Sequence, residues 1–352
     1  MITRLLYVLS STDSDTYLES ALISIYSARL RMPDVNITLL VDDITNDFFI
    51  GKRVELLNLI DLKIVVKFDI EIDLYVRSRL LKTNMRNYLT GDFLYVDCDT
   101  LIACQLYDID SWQNDIAAVL DGHSLLNEHP VIDIFTKQSN TFDYPFEETM
   151  QYFSSGVMYV KDSILSKQFF DTWHSNYKLG LSLGIKQDEP SLAKTNHDFS
   201  RIISELPGEW NCQIRLGALY LNNLKILHFW SKKNMPLSSL GSKELLNIIK
   251  IEGIVKYKNL IIDYQKSFYM PLGLISKSDL YFNFSPLYEI TREQFINEGE
   301  IIYFKNGLSF LEKTDKSISK SKIGKIIIRL NRIIFRLEFF IFSKLTNSNN
   351  RL

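Results

Sequence analysis

The chain predicts an α/β fold: a mostly parallel sheet flanked by helices, with a C-terminal extension and a terminal basic amphipathic helix. Two observations carry this. Short apolar runs alternate with segments of helical periodicity, the pattern of strands joined by crossover helices. With 352 residues, 46% of them hydrophobic, the chain can also bury roughly three quarters of its unfolded surface in a sizeable core.

The first run, Leu5-Leu6-Tyr7-Val8-Leu9, is too short to span a membrane and lacks a small-residue cleavage site after it, so it reads as a buried strand. Ser10 to Asp15 is a polar turn. From Tyr17 to Leu30, apolar residues at Leu18, Leu22, Ile25, Tyr26 and Leu30 predict a helix packed on a sheet. Ile37 to Val41 is a second strand ending in Asp42-Asp43, and Lys63 to Phe68 a third. In such sheets ligands sit at the carboxyl ends of strands, where Ser10, Asp42 and Asp97 fall.

A basic segment, Arg77 to Leu89, has Leu80, Leu81, Met85, Tyr88 and Leu89 at helical spacing and feeds the run Phe93 to Ile102. That run carries Asp97 and Asp99 two residues apart, so strand alternation places both carboxylates on one face and Cys98 on the other. Like charges ending a buried strand repel and lose hydration unless a cation sits between them. Hard divalent cations are commonly held by one or two carboxylates plus the phosphates of a substrate, which suggests a diphosphate-bearing donor.

Tyr152 to Val160 is a strand entered through Ser154, Ser155 and Gly156, small residues that let backbone approach a ligand closely. Gln187 to Leu192 opens a helix with Pro190 in its first turn. Asp188 and Glu189 there suit capping as well as chemistry. Leu206 to Cys212 contains Trp210-Asn211, and Lys225 to Lys233 is a short strand bearing His228.

This ordered set resembles glycosyltransferase family 8, the retaining GT-A glycosyltransferases that include glycogenin and bacterial lipopolysaccharide galactosyl- and glucosyltransferases. The resemblance covers residues 1–236 and implies a GT-A, Rossmann-like catalytic domain there, followed by an extension over 237–315. It implies that Asp97, Asp99 and His228 bind a divalent cation bridging the two phosphates of a nucleotide sugar. A histidine in the set favours Mn2+ over Mg2+. Ser10 and Ser11 fall where the family contacts base and ribose. Arg77 falls near its phosphate- and sugar-contacting arginine, with Arg79 competing for the role. Ser155, Gly156 and Asn211 fall in its donor-binding segments, and Asp188 and Glu189 match its Asp-Gln pair beside the transferred sugar. Lys232 and Lys233 compete for the grip on the diphosphate.

The chain departs from the family at three places. Ser154-Ser155-Gly156 replaces Asn-Ala-Gly, Glu189 replaces glutamine with Gln187-Asp188 as a competing register, and the lysines after His228 are shifted in spacing. The activity implied is transfer of a hexose from a nucleotide diphosphate sugar, a UDP-sugar, to a glycan or glycolipid hydroxyl with retention.

Two other classes use a comparable acid pair or fold. A nucleotidyltransferase calls for a Gly-rich basic loop after the first strand, which Ser10 to Asp15 lacks. A catalytically inactive binding protein on the same fold is the other. Forty basic against 42 acidic residues, a formal charge of −2, gives no footprint for a nucleic-acid partner. Cys98, Cys104 and Cys212 are too few for a disulfide framework or a structural zinc site, so a reducing, cytoplasmic compartment is expected.

At the end of the chain, Lys322, Lys325, Arg329, Arg332 and Arg336 lie on one helical stripe, with apolar surface at Ile326, Ile327 and Ile333 to Phe335. Between Lys316 and Leu352 nine basic residues face one acid, Glu338. Such a helix suits an anionic membrane surface, which predicts a peripheral enzyme on the cytoplasmic membrane face with a lipid-linked or surface-glycan acceptor.

Overall fold

The computed structural model describes residues 1–68, 72–129, 132–144, 150–213, 220, 224–229, 240 and 243–267. Lys232, Lys233, the basic stripe and most of the extension lie outside the described residues. Strand β1 (Arg4–Leu9) leads through helix α1 (Tyr17–Arg31) to β2 (Ile37–Asp42). A short helix α2 (Asp43–Asn46) and a 3-10 segment (Gly51–Leu59) precede β3 (Leu62–Val66), and helix α3 (Leu74–Thr83) leads to β4 (Phe93–Val96). Then come β5 (Thr100–Ile102), β6 (Ile116–Leu120), α4 (Ile132–Thr141), β7 (Phe153–Val160) and α5 (Ile164–Ser182). The described chain closes with α6 (Glu189–Asp198), β8 (Ser204–Glu205), β9 (Cys212–Gln213), β10 (Ile226–His228), α7 (Lys243–Glu252) and α8 (Lys258–Ser267).

Seven strands form the main sheet in the order β3-β2-β1-β4-β7-β6-β8. The first four are mutually parallel, β7 runs antiparallel to both β4 and β6, and β8 is parallel to β6. A second sheet, β5-β10-β9, stands apart from it. The expected α/β architecture is thus the observed one. Strands covered on both faces read as apolar runs, and β1, β4 and β6 do so, as does β7 after Gly156.

Alternate residues of each strand enter two different cores. Leu5, Tyr7, Leu9, Leu94 and Val96 pack against α1, the small sheet and α7. Leu6, Val8, Phe93 and Tyr95 pack with Leu81 of α3, Phe169, Phe170 and Trp173 of α5, and Leu192 of α6. Full burial of side chains of this size stabilises by about 1.5–3 kcal/mol each.

Two expected elements take a different form. The helix read over 77–89 begins earlier, capped by the Asp73 carboxylate on the backbone N–H groups of Tyr75 and Val76, and α3 ends at Thr83. A 3-10 turn, Met85–Tyr88, follows. Asn84 diverts the chain there, because its amide bonds the Tyr88 hydroxyl (3.1 Å) and accepts from Asn87 (2.8 Å) instead of continuing the helix. The strand read over 93–102 is two strands in two sheets. The Thr100 hydroxyl donates to the Asp97 carbonyl (2.9 Å), closing a turn through Cys98 and Asp99, so strand alternation is not what unites the aspartates.

Helix α3, which carries part of the site, is tied to α5 by the Thr83 hydroxyl and His174 Nδ1 (2.8 Å). Burial, with the Lys178 charge, pushes the His174 imidazole down from 6.5 to about 4. Because the folded value is the lower, the unfolded chain takes up the proton first as pH falls through 6.5, and the fold loses stability until about pH 4. The urea midpoint of His174→Gln is therefore expected to fall less than that of the wild type between about pH 7 and pH 5. Parallel declines would exclude His174 as a source of acid sensitivity.

Candidate active site

Because β7 is antiparallel to both β4 and β6, β6 runs parallel to β1, β2 and β4, and all four carboxyl ends share one edge of the sheet. Ser10 follows β1, Asp42 ends β2, Asp97 follows β4 and Asp121 follows β6. Strand β5 pairs antiparallel with β10, setting His228 opposite Thr100, and the Phe229 N–H donates to the Asp99 carbonyl (2.9 Å). This long-range pairing brings the imidazole to the turn between the two sheets. His228 Nε2 lies 3.3 Å from Asp99 Oδ1 and 3.8 Å from Asp97 Oδ2. One donor atom from each of the three residues lies within 4.8 Å of the others.

The surroundings suit a cation at this point. His228 Nδ1 shares a hydrogen with Asn211 Oδ1 (2.9 Å), while the Asn211 amide donates to the Ser154 hydroxyl (3.2 Å). With the proton on Nδ1, a neutral ring turns its Nε2 lone pair toward the carboxylates, the usual support for a metal-binding histidine. Gly156 makes room for it: a Cβ there would meet His228 Cε1 at 2.6 Å and Asp97 Oδ2 at 3.1 Å. Without a cation, burial disfavours the imidazolium, but Asp99 and then Asp97 outweigh burial and raise the His228 pKa.

Beside this cluster is a second one built on α3, β7 and α6. The Lys82 ammonium, 2% exposed, contacts Asp97 Oδ1 (3.2 Å), Asp188 Oδ2 (3.2 Å) and the Ser155 hydroxyl (2.9 Å). The Ser155 hydroxyl has one proton to share between Asp188 Oδ2 (2.8 Å) and Glu189 Oε1 (3.0 Å). Arg79 Nε lies 3.3 Å from Asp188 Oδ1, its guanidinium over the Tyr75 ring. Burial would drive the proton from Lys82, but Asp188 and Asp97 outweigh it and lift the ammonium to about 12. Burial likewise opposes ionisation of Asp188, yet Lys82 and Arg79 hold its carboxyl below the usual range. Glu189 goes the other way, raised by burial and by the Asp188 charge. The carboxylates of the two clusters outnumber the cations among them, an imbalance that a divalent ion would offset.

The remaining predicted residues are distributed as follows. Asn211 is fully buried; its amide nitrogen donates to Ser154 and its oxygen meets His228 Nδ1, so it holds the imidazole in place. The Ser11 hydroxyl donates to Asp15 (2.6 Å) and accepts from the Leu18 N–H (3.3 Å) within its own turn. The buried Ser10 hydroxyl has no hydrogen-bond partner among the described residues. Arg77 turns toward the end of β2, on Asp43 (2.7 Å) and Asp42 (3.8 Å), so of the two arginines it is Arg79 that reaches the Asp188 carboxylate. Asp188 sits at the N-cap of α6, yet its side chain makes no capping bond and turns instead to Lys82, Arg79 and Ser155.

Lys82 and Tyr95 were not singled out from the sequence. Lys82 is three residues after Arg79 and shares its helical face, a spacing that was available to be read. Tyr95 stands two residues before Asp97 and donates its hydroxyl to Asp97 Oδ1.

No family model matches the chain, and no curated protein matches it. Among solved structures it is similar to the apo bifunctional glycosyltransferase WbbM (16% identity, TM-score 0.44, 65% of this chain and 46% of that one). It is similar also to mouse xyloside xylosyltransferase 1 in its apo form (14%, 0.45, 66% and 99%). A third is the galactosyltransferase LgtC with donor and acceptor sugar analogs (14%, 0.47, 74% and 95%). The match thus spans less than half of WbbM and nearly all of the other two.

Asn211 orients the imidazole, so Asn211→Ala is expected to weaken Mn2+ binding roughly 10–100-fold and, because buried His228 and Ser154 lose a partner, to lower the melting temperature by a few degrees. An electron paramagnetic resonance titration of free Mn2+ measures this. Undiminished affinity would mean that the ion does not depend on His228 being held.

Proposed function

We propose that the chain is a metal-dependent GT-A glycosyltransferase that moves a hexose from a UDP-sugar to a hydroxyl of a glycan or glycolipid, with retention. The observation that carries this reading is the meeting of Asp97, Asp99 and His228 at one point, beside a buried Lys82–Asp188–Glu189 cluster. When bound, a divalent cation there would act as a Lewis acid that neutralises charge on the departing diphosphate.

The protein's own groups have separable tasks. Asp188, 1% exposed and gripped by Lys82, Arg79 and Ser155, is suited to holding those cations in place. Glu189 is the more exposed of the pair and opens α6, so its carboxyl is the one assigned to the sugar. There it would stabilise oxocarbenium-like charge at the anomeric carbon or attack it. Lys82, already neutralised by carboxylates in a dry setting, contributes a charge that needs no reorganisation during the reaction. Lys232 or Lys233 is proposed to grip the diphosphate. Ser10, at the end of β1, is proposed to meet the nucleoside.

A panel of UDP-sugars with Mn2+ tests the reading. Wild type should release UDP from one donor, and Asp99→Ala should not. Glu189→Ala should lower kcat by roughly 10²–10³-fold, the usual effect of removing one group that stabilises transition-state charge. The anomeric configuration of the product, read by NMR, decides retention. Release from no donor, or equal release by Asp99→Ala, would sink the proposal.

We further propose a seat on an anionic membrane surface through residues 316–352. No described helix is long and apolar enough to cross a membrane. Each lysine or arginine near such a surface contributes roughly 1 kcal/mol. Removing the residues after 316 should abolish sedimentation with anionic liposomes, and unchanged sedimentation would remove this part of the reading.

A further inference from the structure

We infer that Tyr95 is a positioning residue that confines Asp97 to presenting its Oδ2 alone toward the cation site, and so sets which divalent ions the site prefers. The inference rests on the metal-site reading above and extends it to a side chain that meets no ligand itself.

Every polar atom of Asp97 other than Oδ2 is engaged. Its N–H donates to the Gly156 carbonyl (2.8 Å), and its carbonyl accepts from the Thr100 hydroxyl (2.9 Å). Oδ1 accepts from the Tyr95 hydroxyl and from Lys82 Nζ (3.2 Å). Oδ2 points to His228 Nε2 (3.8 Å) across the space that Gly156 leaves open.

The Tyr95 hydroxyl is held where it is. The residue is 2% exposed and lies in β4 between β1 and β7, in register with Leu6 on one side and Met158 on the other. The Lys82 ammonium sits over its ring at 5.1 Å. A hydroxyl on so constrained a strand cannot follow the carboxylate if it turns, so it fixes the carboxylate's rotation.

This has a consequence for ion choice. Ca2+ takes six to eight oxygens and often both oxygens of one carboxylate, whereas a smaller ion with a nitrogen ligand is served by one. Tying down Oδ1 therefore disfavours Ca2+ more than Mn2+. Removing the hydroxyl returns part of Oδ1 to the site and loosens the orientation that Mn2+ uses.

Calorimetric titration of Mn2+ and of Ca2+ into wild type, Tyr95→Phe and Asp99→Ala, without donor, tests this. Tyr95→Phe deletes one oxygen and keeps the ring, and a melting curve checks that it remains folded. The expected result is Mn2+ affinity lowered roughly 10–100-fold, with the Mn2+ to Ca2+ affinity ratio lowered at least about 10-fold. A general structural defect would lower both affinities together and leave the ratio unchanged, which overturns the inference. If Asp99→Ala loses Mn2+ while Tyr95→Phe keeps the wild-type ratio, the role given to Tyr95 fails and the metal site stands. If Asp99→Ala binds Mn2+ like the wild type, the metal-site reading falls and the inference with it.

Discussion

The crowding of negative charge at one edge of the sheet is the constraint on which the rest depends. Asp97, Asp99, Asp188 and Glu189 gather around His228, Lys82 and Arg79, and carboxylates this close destabilise one another unless cations intervene. The protein answers half of the problem with its own cations. Lys82 bridges Asp97 and Asp188, and Arg79 takes the other oxygen of Asp188. Asp99 and Oδ2 of Asp97 face the imidazole, so the remaining negative charge is directed to one place.

That division explains the side chains packed around the site. Gly156 has no Cβ because His228 occupies the space a methyl would need. Asn211 is buried without solvent because its amide oxygen and nitrogen both have protein partners. Ser155 stands at the junction of the two clusters, accepting from Lys82 and donating toward the carboxylates of α6. In the proposed transfer these contacts would keep the charged groups oriented before a donor arrives, so that little rearrangement is needed as charge moves to the leaving group.

The scaffold makes this possible by separating rigidity from chemistry. The strands that end at the site are buried on both faces, their alternate side chains committed to two cores on opposite sides of the sheet. Lys82 comes from a helix anchored on α5, and the acids of α6 follow from a helix packed against that same α5. The groups that touch one another thus come from elements whose own positions are over-determined by apolar packing.

Much of the fold was legible because it depends on local pattern: the apolar runs of β1, β2, β4 and β7, and the helical stripe of α1, follow from which residues must leave water. The acid pair, the small residues before Gly156 and His228 could likewise be singled out as chemistry-bearing types in unusual apolar surroundings. Strand alternation does not unite Asp97 and Asp99, since the Thr100 hydroxyl closes a turn between the two strands. Lys82 and Tyr95 were passed over because a lysine on a helix and a tyrosine in a strand look ordinary until their neighbours are known. What the amino-acid order determined was therefore which segments are buried and which carry charge. Only the tertiary structure decided which charges meet, because β5 and β10 pair across 123 intervening residues and that pairing, not local periodicity, brings His228 to the aspartates.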